Sequence, residues 1–272
     1  MMVTIDQFKA YQTEVAKVVY SSTIQFFTLN DQNIPRAHGS GVLVNIDEHY
    51  FVFTAAHVIE DHQGKLHVGI DQNDALLLGG DYIINHHYDR QRDTIDTGII
   101  KLDTVTVDKL TPSYAFITKE ELGIDHEWKN LPQYVALGYP ATKTKYNPFK
   151  NSVKTVPFIF ITMPAAFKEY AKNKCDPEHQ VLVHYDQNAV VSTTTKLKNK
   201  GPDSYGMSGC GFWNTTTNGF IKQNGEKKLV AILTDWPNKH FWMGTRIDIF
   251  TEIVRKKYQL NIPVSTVIKV NF

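Results

Sequence analysis

Cysteine is scarce in this chain of 272 residues: Cys175 and Cys210 are its two thiols. That excludes the disulfide-dense scaffold of a small secreted domain and leaves room for one bridge at most. A charge of one sign is lacking as well. Lys and Arg together number 29 against 28 Asp and Glu, a formal net charge of +1. A broad nucleic-acid-binding face needs a basic excess to release counterions, so nucleic acid is not an expected partner. Long apolar runs are missing too. The longest apolar-looking stretch, Val156 to Phe167, is too short for a membrane helix and contains Pro157 and Pro164. Asp6, Lys9, Glu14 and Lys17 interrupt Met1 to Tyr20, where a signal peptide would need an unbroken apolar core. The expectation is a cytoplasmic protein with no membrane contact. There is no short-period repeat and no low-complexity tract. With 42% hydrophobic and 21% charged residues, the chain has enough apolar surface to offset the entropy of ordering. One large domain or two small ones fit the length.

What is present is a succession of short β-branched and aromatic runs divided by Gly, Asn, Asp and Pro. Before them, Phe8, Tyr11, Val15 and Val18 or Val19 recur at helical spacing, which predicts a short amphipathic helix over Ile5 to Val19. Strands are then predicted at Thr23–Leu29, Gly41–Ile46, Tyr50–Thr54, Lys65–Ile70, Tyr82–Ile84 and Thr97–Leu102. Asp103 to Leu131 is more polar and reads as a connection. A second set of strands covers Tyr134–Leu137, Ser152–Thr162, Val181–Tyr185, Ala189–Thr194, Leu229–Thr234 and Phe241–Ile247. Between Pro164 and Glu178 lies a segment of helical composition, read as an insertion. Ile249, Phe250, Ile253 and Val254 mark a helix over Asp248 to Tyr258, with basic residues at its end, where they suit the helix dipole. The pattern is all-β, a sandwich or barrel and not alternating βαβ units.

Three local patterns could carry chemistry. After Gly39-Ser40-Gly41, an apolar strand runs through Thr54, Ala55 and Ala56 into His57. Small residues beside an imidazole let the ring lie close to backbone and a neighbouring group. Asp96 stands at the mouth of the apolar run Thr97 to Leu102, with Asp93 a nearby competitor. A carboxylate there can accept an imidazole N–H and fix the tautomer, or it can be an ordinary strand-end turn residue. Gly206-Met207-Ser208-Gly209-Cys210-Gly211 places a serine between glycines, where backbone N–H groups can converge beside the hydroxyl. Each pattern alone is weak. Together they run His, Asp, Ser, one of the known triad orders, with the first two in the first β-rich half and the serine in the second.

On these stretches the chain resembles the trypsin/chymotrypsin-like serine peptidases. The matching residues are Gly39 to Gly41, Thr54 to His57, Asp96 to Leu102 and Gly206 to Gly209, with Leu229 to Trp236 and Thr245 to Ile247 as later matches. The likeness covers roughly Thr23 to Tyr258. In texture it is nearest to bacterial intracellular members of that family. The resemblance implies two antiparallel β-barrels of the chymotrypsin type. It implies the following layout: a helical extension over 1–21, a first barrel over 22–115, a connection over 116–133, a second barrel over 134–247 with its insertion near 164–179, and a helix and tail over 248–272. It implies a triad in which Ser208 attacks the scissile carbonyl, His57 moves the proton and Asp96 holds His57. The backbone N–H groups of Gly206 and Ser208 would then bind the oxyanion. Thr234, Asp235 and Trp236 would pair with the substrate main chain as an added strand. The activity implied is that of a serine endopeptidase with a protein or peptide substrate, no cofactor and no metal.

The chain departs from the family in places. Met207 stands where many secreted members carry the aspartate that receives a freed N-terminus, which argues against activation by N-terminal cleavage. Cys210 replaces a usual glycine, as a packed small residue or a redox handle. The resemblance places Pro202 near the base of the pocket for the residue before the cut, Asp203 one step on, Tyr205 at the rim and Trp242 on the wall. If Asp203 points inward, Lys or Arg is favoured there; if Trp242 fills the pocket, only small residues fit. Of the two, the acidic pocket is the expectation. His86-His87 and His62/His67 complete no familiar metal spacing and read as surface residues. Lys196 to Lys200 is a small basic run that reads as a solvated loop, with contact to an acidic partner as the alternative. Two further readings stay open: a catalytically idle module that binds extended peptides, and a protease held latent until a regulatory partner or signal arrives.

Overall fold

The computed structural model describes residues 14–17, 19–70, 74–85, 95–127, 133–191, 197–217, 220–221 and 227–269. Residues 14–17 and 19–21 are helical, with Val15 and Val19 fully buried; the rest of the predicted first helix lies outside the described residues. The first sheet takes in β1 (Thr23–Leu29), β2 (Pro35–Ile46), β3 (His49–Thr54), β4 (His67–Gly69), β5 (Ala75–Leu77), β6 (Gly80–Ile84) and β7 (Gly98–Leu102). It runs in the order β5-β4-β1-β2-β3-β7-β6, and β8 (Ile117–Thr118) joins β2 in parallel. All its other pairings are antiparallel. Alternation along these strands sends Ile24, Phe26, Leu43, Val52 and Ile100 into one apolar interior.

The second sheet is built from β9 (Tyr134–Gly138), β12 (Phe158–Thr162), β13 (Gln180–His184), β16 (Gly211–Asn214), β19 (Lys228–Asn238) and β20 (Phe241–Arg246), in the order β12-β9-β16-β19-β20-β13. Its interior holds Tyr134, Phe212, Leu233 and Trp242. Three two-stranded pairs stand apart: β10 (Thr144–Asn147) with β11 (Ser152–Thr155), β14 (Val190–Val191) with β15 (Lys198–Asn199), and β17 (Thr216–Thr217) with β18 (Phe220–Ile221). Four helices are labelled here: α1 (Ala56–Ile59), α2 (Thr104–Leu110), α3 (Phe167–Lys172) and α4 (Ile247–Tyr258). A third apolar cluster joins the two sheets. It brings together Phe53 and Ile99 from the first, Val135, Leu137, Trp213 and Ile232 from the second, and Phe250, Ile253 and Val254 from α4. This shared core holds the two sheets against each other.

Several boundaries differ from the sequence expectation. The Ser152–Thr162 run is two strands, because Pro157 cannot donate to a ladder and the chain breaks at Val156-Pro157. Within the expected connection, Asp103 accepts the Thr106 N–H at 2.7 Å and caps α2 despite its β-branched residues. β16 follows directly on the serine loop. Cys175 and Cys210 are both buried and free, so no bridge joins them. Among the described residues no helix is long and apolar enough to cross a membrane.

Candidate active site

His57 is the second residue of the short helix α1, carried there by β3 through Ala55 and Ala56, both fully buried. Asp96 lies on the segment that leads into β7. Asn85, at the end of β6, grips that segment on both sides of the carboxylate: its side-chain amide donates to the Ile95 carbonyl at 2.7 Å and its backbone N–H to the Thr97 carbonyl at 3.0 Å. Gly98 allows the approach to α1, since a Cβ there would stand 2.7 Å from the Ala55 carbonyl oxygen. The result is a two-point clasp. Asp96 Oδ1 accepts the His57 backbone N–H at 3.1 Å, and Asp96 Oδ2 lies 2.6 Å from His57 Nδ1. With Nδ1–H donated to a carboxylate, Nε2 is left as the free base of the ring. The Asp96 side chain is 13% exposed and that of His57 39%, so the carboxylate is sheltered while the imidazole reaches solvent.

The serine turn has a definite shape. Met207 N–H donates to the Ser204 carbonyl at 2.8 Å, and Gly206, third in that turn, has φ of +89°. Cys210 N–H donates to the Met207 carbonyl at 3.0 Å, and Gly209, third in its turn, has φ of +91°. Since Tyr205 and Ser208 have negative φ, both turns are type II. Two such turns in series place Ser208 between glycines. Among the described residues, neither the Gly206 nor the Ser208 N–H has a partner within the protein. These are the two donors that an oxyanion would need.

Ser40 ties this turn to the first sheet. Its N–H donates to the Ser208 carbonyl at 2.8 Å, its hydroxyl donates to the Gly206 carbonyl at 2.9 Å, and the same hydroxyl accepts the Tyr139 N–H at 3.1 Å. Its carbonyl accepts the Thr54 hydroxyl at 2.8 Å, three residues before His57. On the other side, Gly209 N–H and the Leu233 carbonyl meet at 2.7 Å, which fixes the turn against β19. The structure thus joins His57 to Asp96 directly and links the Ser208 turn to the strand that carries His57 through Ser40. No hydrogen bond joins the Ser208 hydroxyl to the His57 ring. Ser40 and Asn85 are residues that sequence reasoning did not single out for these roles; Ser40 was visible only as part of Gly-Ser-Gly. His38 was missed altogether. Its Nε2–H donates to the Val58 carbonyl at 2.8 Å, its ring meets His62 edge-on at 4.3 Å, and burial lowers its pKa.

The expected specificity residues separate into two groups. Trp242 is fully buried; its indole N–H donates to the Ser204 hydroxyl at 2.8 Å and its ring stacks on Tyr185 at 3.9 Å. Phe158 and Phe160 close on it edge-on. Asp203 is exposed, and its carboxylate accepts the Tyr205 N–H at 2.9 Å, so it faces outward and not into a pocket. The Pro202 carbonyl accepts from the Tyr185 hydroxyl at 2.8 Å, and Tyr205 is 53% exposed. On β19, Thr234 is buried, while Asp235 and Trp236 are exposed. The Trp236 N–H is already donated to Asp235 Oδ1 at 2.7 Å. Although the residue is exposed overall, its carboxyl is partly desolvated, which raises the Asp235 pKa; the nearby Asp96 charge adds to the rise, while the Trp236 N–H and His57 oppose it. The Cys210 thiol is fully buried and pushed up by that burial, so it serves as packing beside Gly138 and not as a redox handle. Asp93, His86, His87 and Lys196 lie outside the described residues, and among those that are described no cluster of three or more His, Cys, Asp or Glu could hold a metal.

Two curled antiparallel sheets, mostly strand with few helices, make this a double β-barrel of the chymotrypsin type. Among solved structures the chain is similar to neuropsin, a serine protease expressed in the limbic system of mouse brain. The TM-score is 0.53 and the identity 15%, with 88% of this chain and 94% of that one covered. No family model matches the sequence, and no curated protein matches it.

Proposed function

We propose that this protein is a serine endopeptidase in which Ser208 is the nucleophile, His57 the general base and acid, and Asp96 the group that orients His57. The observation that carries this reading is the two-point clasp of Asp96 on His57, set beside a serine turn with two unengaged backbone donors. Ser208 Oγ would attack the peptide carbonyl as its proton passes to His57 Nε2. The Gly206 and Ser208 N–H groups would hold the oxyanion, and the proton would return to the leaving amine. Loss of one such donor typically removes about 3–4 kcal/mol of transition-state stabilisation.

For the residue before the cut, buried Trp242 and outward Asp203 favour a short side chain over Lys or Arg. Digestion of a peptide library by the wild-type chain, with Ser208→Ala as control, tests both parts. Cuts should follow small residues and vanish in the variant. Cuts after Lys or Arg would retire the pocket assignment, and cuts that persist in Ser208→Ala would retire the nucleophile.

A second reading, a latent form awaiting a partner or signal, has its own observation: Ser208 Oγ and His57 are not hydrogen-bonded, and the Trp236 N–H that an added strand would use is occupied by Asp235. In that case cleavage appears only when the activating factor is supplied.

A further inference from the structure

The ribbon β10–β11 belongs to neither barrel sheet. It is held to the body by its inner face: Thr144 accepts from the Gln25 side-chain amide at 2.8 Å and shares a hydroxyl contact with Thr155 at 3.1 Å. Alternation then turns Lys145 and Lys154 outward, and both are exposed. The register places these two lysines directly opposite each other. Like charges at opposed positions destabilise a sheet pair, so this arrangement runs against the ribbon's own stability. Lys150 lies in the connecting turn beside Phe149, whose side chain is 99% exposed.

The surroundings repeat this sign of charge. Lys143 and Lys200 stand on the rim of a cavity of about 460 Å³ between the ribbon's base and the strand β15, whose lining also includes the apolar Phe158 and Val190. Lys198 is exposed on β15. No aspartate or glutamate occurs between Glu127 and Glu169, or between Asp186 and Asp203. None of these six lysines makes an ion pair among the described residues, whereas Lys17, Lys119, Lys172 and Lys227 each do. On a chain of net charge +1, this is a local concentration of uncompensated cations. It is also continuous with the serine turn, because Ala141, just before the ribbon, donates its N–H to the Tyr205 carbonyl at 2.9 Å.

We infer that the outward face of this ribbon, with Lys143, Lys198 and Lys200, is a docking surface for an acidic segment of the protein substrate. The inference rests on the endopeptidase reading for the word substrate, but the surface itself is defined by charge and geometry alone. Carboxylates of an extended peptide would relieve the Lys145–Lys154 repulsion. They would also neutralise cations that have no partner of their own, and such a surface increases the encounter rate and fixes register at the adjoining groove. Nucleic acid is the less suited anion, because the surrounding molecule carries almost no net positive charge to support a long phosphate track.

The test uses the full chain with Ser208→Ala, so that bound peptide is not cut, and a fluorescent oligoglutamate peptide as the probe at low ionic strength. Binding should be seen, should weaken as salt is added, and should fall tenfold or more in the Lys145→Gln/Lys154→Gln double variant. The melting temperature of that variant should be unchanged or higher, since it removes a repulsion. Failure of oligoglutamate to bind, or binding indifferent to the double substitution, would overturn the proposal. Tighter capture of an oligothymidylate of matched charge or of anionic lipid vesicles would also overturn it. Because no step of this assay requires hydrolysis, a chain that binds oligoglutamate yet cuts no peptide would retain the docking surface and lose the endopeptidase reading.

Discussion

Asp96 carries the most consequential pair of contacts in the molecule. One oxygen fixes where α1 starts by accepting the His57 backbone N–H, and the other fixes which imidazole nitrogen bears the proton. Asp96→Asn keeps the size of the side chain but presents an amide that cannot hold the same tautomer. The turnover number should fall by about 10³- to 10⁴-fold, with a melting temperature close to that of the wild type. A loss below tenfold would remove Asp96 from the mechanism. Asp235 makes a different kind of prediction. Its folded pKa is raised, so its stabilising contribution is complete below the ordinary carboxylate range and is lost as pH rises through the raised value. At neutral pH the ionised group opposes folding. Asp235→Asn should therefore melt at a higher temperature than wild type at neutral pH, with the difference closing as the pH falls below the ordinary carboxylate range. A difference independent of pH would contradict the assignment. As candidates, His57 and Ser208 stand out in the sequence because small residues and glycines bracket them, and Asp96 because it stands at the mouth of an apolar run. The outward turn of Asp203 was not legible, because it depends on a local bond to the Tyr205 N–H that spacing does not encode.

Strands and turns were the readily legible elements, since Gly, Asn, Asp and Pro punctuate runs such as Thr23–Leu29 and His49–Thr54. What escaped has identifiable causes. β16 was hidden because Gly211 continues a glycine-rich loop, although Phe212 and Trp213 are fully buried. α2 was hidden because Thr104 to Val107 has β-branched composition, and the Asp103 cap is a single-residue signal. The free pair β10–β11 was merged in part with β12. A link between elements, Ser40, was equally invisible, because its partners Tyr139, Gly206 and Ser208 are far away in sequence. Ser40→Ala would leave the buried Tyr139 N–H and Gly206 carbonyl without that hydroxyl. Unfolding free energy should drop by about 1–3 kcal/mol, and kcat should fall because the Gly206 carbonyl loses its tether to the first sheet. Chemical denaturation together with peptide turnover measures both; a variant that matches wild type in each would show that the link has no such role.

Over the whole molecule, the two barrels are held together by one core that they share with the C-terminal helix. Phe250 of α4 is fully buried and packs against Phe53 of β3 with ring centroids 5.2 Å apart. Phe250→Ala should lower unfolding free energy by about 3–5 kcal/mol in denaturant titrations. A loss under about 1 kcal/mol would mean that the helix is an accessory. The same α4 begins at a buried charge pair, Arg246 with Asp248 at 3.1 Å, whose carboxylate also accepts the Asp125 N–H and the Ser265 hydroxyl. The connection between barrels and the C-terminal tail therefore meet at one fully bonded node. That frame ties the strand leading to His57 to the Ser208 turn through Ser40, and the proposed function stands on the Ser208 hydroxyl being a nucleophile. Intact-mass measurement after exposure to a fluorophosphonate, followed by peptide mapping, tests it most directly. One adduct is expected, located on Ser208, present in wild type and absent in Ser208→Ala. A folded wild-type chain that takes up no adduct even with cell lysate added, or one modified at a different residue, would contradict it.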